Sequence, residues 1–203
     1  MISVGITGGV GAGKSEIIEY LRQNTNCRIL LADRYAEELE KRGNVCYEPL
    51  VKLLGTDILG EDLEIDRKKM AAKMFGDPEL TKAVNDIVHP AVKEGILEMI
   101  SRYRQENEID FFFLEAALLI ECGYKNILDE IWYVHTDVEI RKERLKKSRG
   151  YSDGKIDKIL ASQLDSASFI ANADFVIYNS ESLENSYRQI DKHLNMYKNA
   201  GEK

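Results

Sequence analysis

Ile2-Ser3-Val4-Gly5-Ile6-Thr7-Gly8-Gly9-Val10-Gly11-Ala12-Gly13-Lys14-Ser15 is the stretch that decides the fold. Its first six residues are a mostly apolar run of strand length. The following Glu16-Ile17-Ile18-Glu19-Tyr20-Leu21 spaces its apolar residues as one face of a helix. Between them, Gly8 to Ser15 fits G-x-x-x-x-G-K-[ST]. Glycines there let successive N–H groups converge on one point. The helix start adds unpaired donors and the positive end of its dipole. The stretch therefore predicts a strand, a phosphate-cradling P-loop and a helix, with Gly9, Val10, Gly11, Ala12, Gly13, Lys14, Ser15 and Glu16 lining the phosphate site. In this motif the lysine, Lys14, reaches the β- and γ-phosphates, and the hydroxyl, Ser15, serves Mg²⁺.

Outward from this stretch, four more runs read as strands: Arg28 to Ala32, Ile109 to Glu115, Glu130 to His135 and Asp174 to Tyr178. Ile109-Asp110-Phe111-Phe112-Phe113-Leu114 is nearly continuous in apolar residues, as expected of a strand buried on both faces of a parallel sheet. Asp33 is placed to cap a helix starting near Arg34, which Gly43-Asn44 is expected to end. Further helices are expected over 45–54, 67–75, after Asp77-Pro78, from a restart at His89-Pro90 to about Glu106, over 137–147, over 156–169 and from Leu183 to about Tyr197. Strands alternating with helices predict an α/β fold of the P-loop NTPase type, three-layered, with a five-stranded parallel sheet. Residues 34–106 carry helices but no strand, so they read as an inserted helical subdomain. Residues 144–168 read as a helical lid. The core is then about 1–33, 107–143 and 170–203 of one domain. Ligands of such sheets lie at the carboxyl ends of the strands. Asp33 and Glu115 stand there.

Composition narrows the function classes. The chain has 203 residues and a formal net charge of −7, which argues against broad nucleic-acid binding. No run approaches the ~20 apolar residues of a membrane span. Residue 1 leads straight into a strand, without the basic and apolar regions of a signal peptide. Cys27, Cys46 and Cys122 lack metal or redox spacing, as in a reduced, cytoplasmic protein.

Several residues can carry chemistry. Asp33 can orient an attacking hydroxyl and take its proton, or can simply cap a helix. Glu115 ends an apolar strand, in the manner of an acid that helps hold Mg²⁺ directly or through water. Arg141, Lys142, Arg144, Lys146, Lys147 and Arg149 are a dense basic run leading to Gly150. Such runs are usually solvated faces. Here, mobile cations over a transferring phosphate are the sharper reading, with at least one catalytic arginine.

These residues together resemble the dephospho-coenzyme A kinase family over nearly the whole chain. Gly5-Ile6-Thr7-Gly8-Gly9-Val10-Gly11-Ala12-Gly13-Lys14-Ser15 is similar to the family's G-[LI]-T-G-G-[IV]-G-[SA]-G-K-S opening. Leu30-Leu31-Ala32-Asp33 resembles I-D-A-D. Asp66-Arg67 with Met74-Phe75 resembles D-R…V-F. His89-Pro90 is similar to H-P, and Leu118-Leu119-Ile120-Glu121 to P-L-L-[FV]-E. Arg144-Leu145 resembles the R-L of the lid, with Gln163 where a lid-helix glutamine falls. Ala173-Asp174-Phe175-Val176-Ile177-Tyr178-Asn179 resembles A-D-x-V-I-x-N. The chain departs from the pattern at Glu16, Leu31, Ala117, Glu181 and Ser148, where a second lid arginine is displaced to Arg149.

The resemblance implies an ATP- and Mg²⁺-dependent kinase acting on the ribose 3′-hydroxyl of dephospho-coenzyme A, in the last step of coenzyme A synthesis. It implies catalytic roles for Asp33, Lys14 and Arg144, with Arg144 and Asn179 also on the ATP side. Thr7, Asp33, Arg67, His89, Leu118 and Glu121 fall on the acceptor side. Ser15 and, through water, Glu115 are the Mg²⁺ candidates. The expected partners are small molecules, with no nucleic acid and no membrane, for a monomer or weak homo-oligomer. Two alternatives stand beside this: a kinase for another nucleotide-like acceptor, and a regulator that binds ATP without transferring phosphate.

Overall fold

The computed structural model describes residues 1–200, with side chains through Tyr197; the last three residues of the expected core segment 170–203 lie outside the described residues. Strand β1 is Ile2–Thr7, and the glycine loop carries it into helix α1, Lys14–Asn24. Then follow β2 (Cys27–Leu31), α2 (Ala32–Leu39), α3 (Tyr47–Leu54), α4 (Arg67–Met74) and α5 (Pro78–Glu106). After them come β3 (Phe111–Glu115), β4 (Glu130–His135), α6 (Val138–Arg149), α7 (Asp153–Ala161), α8 (Ser166–Asn172), β5 (Phe175–Tyr178) and α9 (Leu183–Ala200). The five strands form one sheet in the order β2-β3-β1-β4-β5. The pairs β1–β3, β1–β4 and β4–β5 are parallel, as the apolar runs predict.

The chain divides into two compact units, one made of Met1–Ile29 with the chain from Asn107 onward, the other of Leu30–Glu106. In the first unit, side-chain alternation along β4 sets the layers. Trp132 points toward α9, where its ring meets His193 edge-on, and Tyr133 points the other way and stacks on Phe169 of α8. Tyr20 of α1 stacks on Tyr187 of α9 and donates to Asp191, so α1 and α9 are neighbours. Helices therefore cover both faces, and Val4, Ile6, Phe113, Leu114 and Trp132 are fully buried between them. At the amino end of β4, the Glu130 carboxylate accepts from Trp132 Nε1 at 2.7 Å and lies 3.0 Å from His193 Nε2. Burial opposes its charge. Hydrogen bonds from Tyr197, His193 and Trp132 outweigh that and hold the carboxyl below the usual range.

In the second unit, α5 is the spine. Val84, Val88, Val92, Ile96 and Ile100 recur every fourth residue and are all buried. This pattern continues on both sides of Pro90, which lies inside α5, so the expected restart at His89-Pro90 does not occur. Proline there removes one N–H from the ladder at about 3 kcal/mol. The continuous apolar face outweighs that cost. Gly95 admits the Tyr35 ring of α2, whose Oη lies 2.0 Å from where a Cβ would stand. Asp66 caps α4, its Oδ1 accepting from the N–H groups of Lys68 and Lys69.

Three other local readings are corrected. Helix α2 begins at Ala32 with Leu31 as its N-cap, so Asp33 lies in the first turn, exposed and without a capping bond. An acid anywhere in that turn is favoured by the dipole, which blurs the cap in sequence. The single helix expected over 156–169 is two, because Asp165 accepts from Ser168 N at 2.7 Å and starts α8 afresh. Helix α2 ends at Leu39, short of Gly43. Among the described residues no helix is long and apolar enough to cross a membrane.

Candidate active site

Thr7 ends β1, and the chain turns through the glycines into α1. Gly11 and Gly13 take φ of 83° and 88°, a left-handed conformation that side-chain-bearing residues avoid. Lys14 folds back over this turn: its Nζ donates to Gly8 O at 2.8 Å and lies 3.6 Å from Glu115 Oε1. Sheet register explains the second contact, since Ile6 pairs with Glu115 across β1 and β3. Strand order thus brings Lys14, Ser15 and Glu115 to one edge of the first unit.

The loop is held from outside at one of its own carbonyls. Ala12 O accepts from Thr136 Oγ1 at 2.9 Å, from Asn179 Nδ2 at 2.8 Å and from an Arg144 guanidinium nitrogen at 3.5 Å. Asn179 is fully buried, and its Oδ1 accepts from Ser186 Oγ at 2.9 Å. Its amide approaches so closely that a Cβ on Gly13 would stand 2.4 Å from Nδ2. Asn179 serves the loop's backbone, and the other Arg144 nitrogen donates to Asn179 O at 3.0 Å.

Arg141, one turn before Arg144 on α6, is the residue that sequence reasoning named within the basic run without assigning it a site. It is 7% exposed. Its Nε donates to Val10 O at 3.0 Å and its Nη2 to Gln163 Oε1 at 2.5 Å. A Cβ on Gly9 would collide with its guanidinium, so the doubled glycine after Thr7 leaves room for this side chain. Burial lowers the guanidinium's pKa, and no carboxylate is within ion-pair distance of it among the described residues. The sequence signal that points to it is the i, i+3 spacing of Arg141 and Arg144, which puts both on the same helix face. By contrast Lys142 faces Glu139 and Asp157, and Lys146 faces Asp153.

The remaining predicted residues divide between the units. In the first, Thr7 is fully buried and donates to Ala117 O at 3.4 Å; Leu118 and Glu121 lie exposed in the turns after β3. In the second, Asp33 lies on α2, His89 within α5, and Arg67 at the first position of α4, against Glu37 of α2 and Glu40, the cap at its end.

The donor set at the loop suits a hard cation. Ser15 and Glu115 offer oxygen only, and among the described residues no three His, Cys, Asp or Glu side chains gather as a self-sufficient metal cage. Mg²⁺ commonly takes one or two protein oxygens and completes its shell with phosphate oxygens and water, so these residues fit it.

The model of the dephospho-CoA kinase family matches residues 2–185. A dephospho-CoA kinase of Streptococcus mutans is 34% identical over 196 residues, which covers 97% of this chain and 98% of that protein. One from Aquifex aeolicus is 36% identical over 193 residues and 95% of both chains. Among solved structures, a Thermus thermophilus protein superposes with a TM-score of 0.80 at 30% identity, covering 96% of this chain and 97% of its own. The dephospho-CoA kinase of Campylobacter jejuni shares the fold, with a TM-score of 0.74 at 23% identity over 98% of each chain. With its P-loop intact and the match running over nearly its whole length, the chain belongs to the dephospho-CoA kinase family.

Proposed function

We propose that this chain transfers the γ-phosphoryl group of ATP to the ribose 3′-hydroxyl of dephospho-coenzyme A, releasing coenzyme A and ADP. The observation that carries this reading is the complete phosphate loop, with Lys14 beside Glu115 and two α6 arginines reaching its backbone, in a chain of this family. Loop N–H groups and Lys14 hold the β- and γ-phosphates, Lys14 exchanging Gly8 O for phosphate oxygens. Ser15 and, through water, Glu115 hold Mg²⁺, which when bound neutralises phosphate charge. Asp33 orients the ribose hydroxyl and accepts its proton as the new O–P bond forms and the bond to the ADP oxygen breaks. Arg144 and Arg141 stabilise charge on the transferring group, and Asn179 acts through the loop it holds.

The acceptor is taken by residues 34–106 with Thr7, Arg67, His89, Leu118 and Glu121. The lid over 144–168 hinges at Gly150, which caps α6 in the left-handed region at φ 61°. The protein works in the cytoplasm on small molecules, without nucleic acid or membrane, as a monomer or weak homo-oligomer. The test is ADP release with ATP and Mg²⁺, with and without dephospho-coenzyme A. Release that needs the acceptor supports the reading. Release with a different nucleotide-like acceptor alone, or ATP binding without any release, overturns it.

A further inference from the structure

Glu40 is the one described side chain with a buried polar atom and no hydrogen-bond partner, its Oε2. The residue closes α2 and is 6% exposed. Burial raises its carboxyl pKa; the Arg67 guanidinium pulls it down, and Glu37 pushes it up again. Cys46, also buried, has its thiol pushed up by burial and by Glu40. A carboxylate oxygen stripped of water and of hydrogen bonds is costly, and a buried ion pair seldom repays that cost in stability. Its position beside Arg67 therefore calls for an explanation other than stability.

Arg67 is itself oddly placed. It is the first residue of α4, where the helix dipole disfavours a cation. Glu37 of α2 and Glu40, the cap at its end, face it from different sides. Glu37 Oε1 meets Nη1, and Glu40 Oε2 lies 3.9 Å from Nε. The carboxylates differ in one respect: the Glu37 side chain is 42% exposed and that of Glu40 is 7% exposed, while Arg67 is 52% exposed. Glu37 can return to water at little cost, as surface ion pairs do. Glu40 has nowhere to go.

We propose that Glu37 and Glu40 divide the work of presenting Arg67 to a phosphate group of the acceptor, Glu40 as the fixed anchor on the Nε side and Glu37 as an exchangeable guard on the terminal nitrogens. An incoming phosphate or diphosphate ester displaces Glu37 and takes the Nη1–Nη2 fork, which matches phosphate geometry. Glu40 keeps the guanidinium plane in register while this happens. Glu37 is then a competitor of the ligand, and Glu40 a positioning residue. The inference rests on Arg67 contacting the acceptor, as read above.

The test is calorimetric titration of dephospho-coenzyme A into the wild-type protein, Glu37→Gln and Glu40→Gln, repeated with each substitution on an Arg67→Ala background. Steady-state KM and kcat are measured alongside. Glu37→Gln is expected to tighten binding about two- to fivefold, the range of an exposed pair. Glu40→Gln is expected to weaken it about tenfold, as for loss of an opposite charge about 4 Å away near a protein surface. Both effects fall on KM for the acceptor rather than on KM for ATP or on kcat, and both vanish without Arg67. Unchanged or weaker binding by Glu37→Gln overturns the proposal, even if Glu40→Gln fails to fold. So does a Glu40→Gln effect that persists in Arg67→Ala, which marks a purely structural role. A wild-type protein that binds no dephospho-coenzyme A overturns the functional reading instead, before any variant is measured.

Discussion

Asn179→Asp changes one atom and reverses a hydrogen bond. Nδ2 must be the atom facing Ala12 O at 2.8 Å, because a carbonyl only accepts. An ionised aspartate would set a carboxylate oxygen against that carbonyl, at a position with no exposure. Protonation restores the donor. Holding an aspartic acid protonated at pH 7, against an ordinary pKa near 3.9, costs about 4 kcal/mol at 1.36 kcal/mol per unit. Arg144, bonded to the carbonyl of Asn179 itself, offsets part of this. The expected penalty is therefore about 2–4 kcal/mol at pH 7. The carboxyl's folded pKa is raised, so the penalty shrinks as pH falls toward 4. Asn179→Ala is the control. It removes two buried hydrogen bonds, about 2 kcal/mol in all. It orphans little, because Ser186 Oγ turns to Tyr178 O and Ala12 O keeps Thr136. Its penalty has no such pH dependence. Urea unfolding from pH 4 to 8 separates the two, and KM for ATP should rise in both variants because the loop loosens. An Asn179→Asp protein as stable as wild type at pH 7, or a penalty flat with pH, refutes the hydrogen-bond assignment.

Lys14→Ala should leave the melting temperature nearly unchanged and abolish most acceptor-dependent ADP release; normal turnover in the folded variant would remove Lys14 from the mechanism. Asp33→Asn should lower kcat by roughly a hundredfold or more at unchanged stability, since Asp33 is exposed and caps nothing; full activity in a coupled ADP assay would end its role as base. Arg144→Ala should lower kcat more than it raises KM for ATP, a split that pre-steady-state rates and nucleotide titration read directly. For Glu130 the carboxyl is held low in the fold, so its stabilisation is full above its ordinary value near 4.5 and is lost as pH falls through the lower folded value. Glu130→Gln should therefore melt about 2–4 °C below wild type at pH 7, with the gap closing under acid conditions; a constant gap would contradict the network.

Patterns that depend on near neighbours were readable in the chain. The glycine loop, the apolar strands and the acid ending β3 all follow from residues within a few positions of one another, and the structure has them within a residue or two. Pro90 was misread because proline's local cost is visible, whereas the buried ladder from Val84 to Ile100 that outweighs it depends on tertiary packing. The break between α7 and α8 was missed for the opposite reason. Asp165 caps locally, but one apolar periodicity runs across it. Arg141 shows the limit most clearly. Its sequence context is a charged helix that looks solvated, yet it is buried, because Gly9, Val10 and Gln163, far away in the chain, meet it there. Glu40 likewise looks like any helix-end acid until α4 brings Arg67 beside it.

The carbonyl of Ala12 also fixes an order of events. Its three donors lie 124, 132 and 167 residues downstream. The phosphate loop is made before the segments that hold it and is shaped only after them, because those contacts close loops of more than 120 residues. A nascent chain ending before residue 179 carries the whole binding motif without the side chain that seats it. Nucleotide, which stabilises a protein only in the state that binds it, then acts on the finished fold and not on its precursors. ATP at cellular concentration thus works as a late latch, favouring chains in which Thr136, Arg144 and Asn179 are already in place.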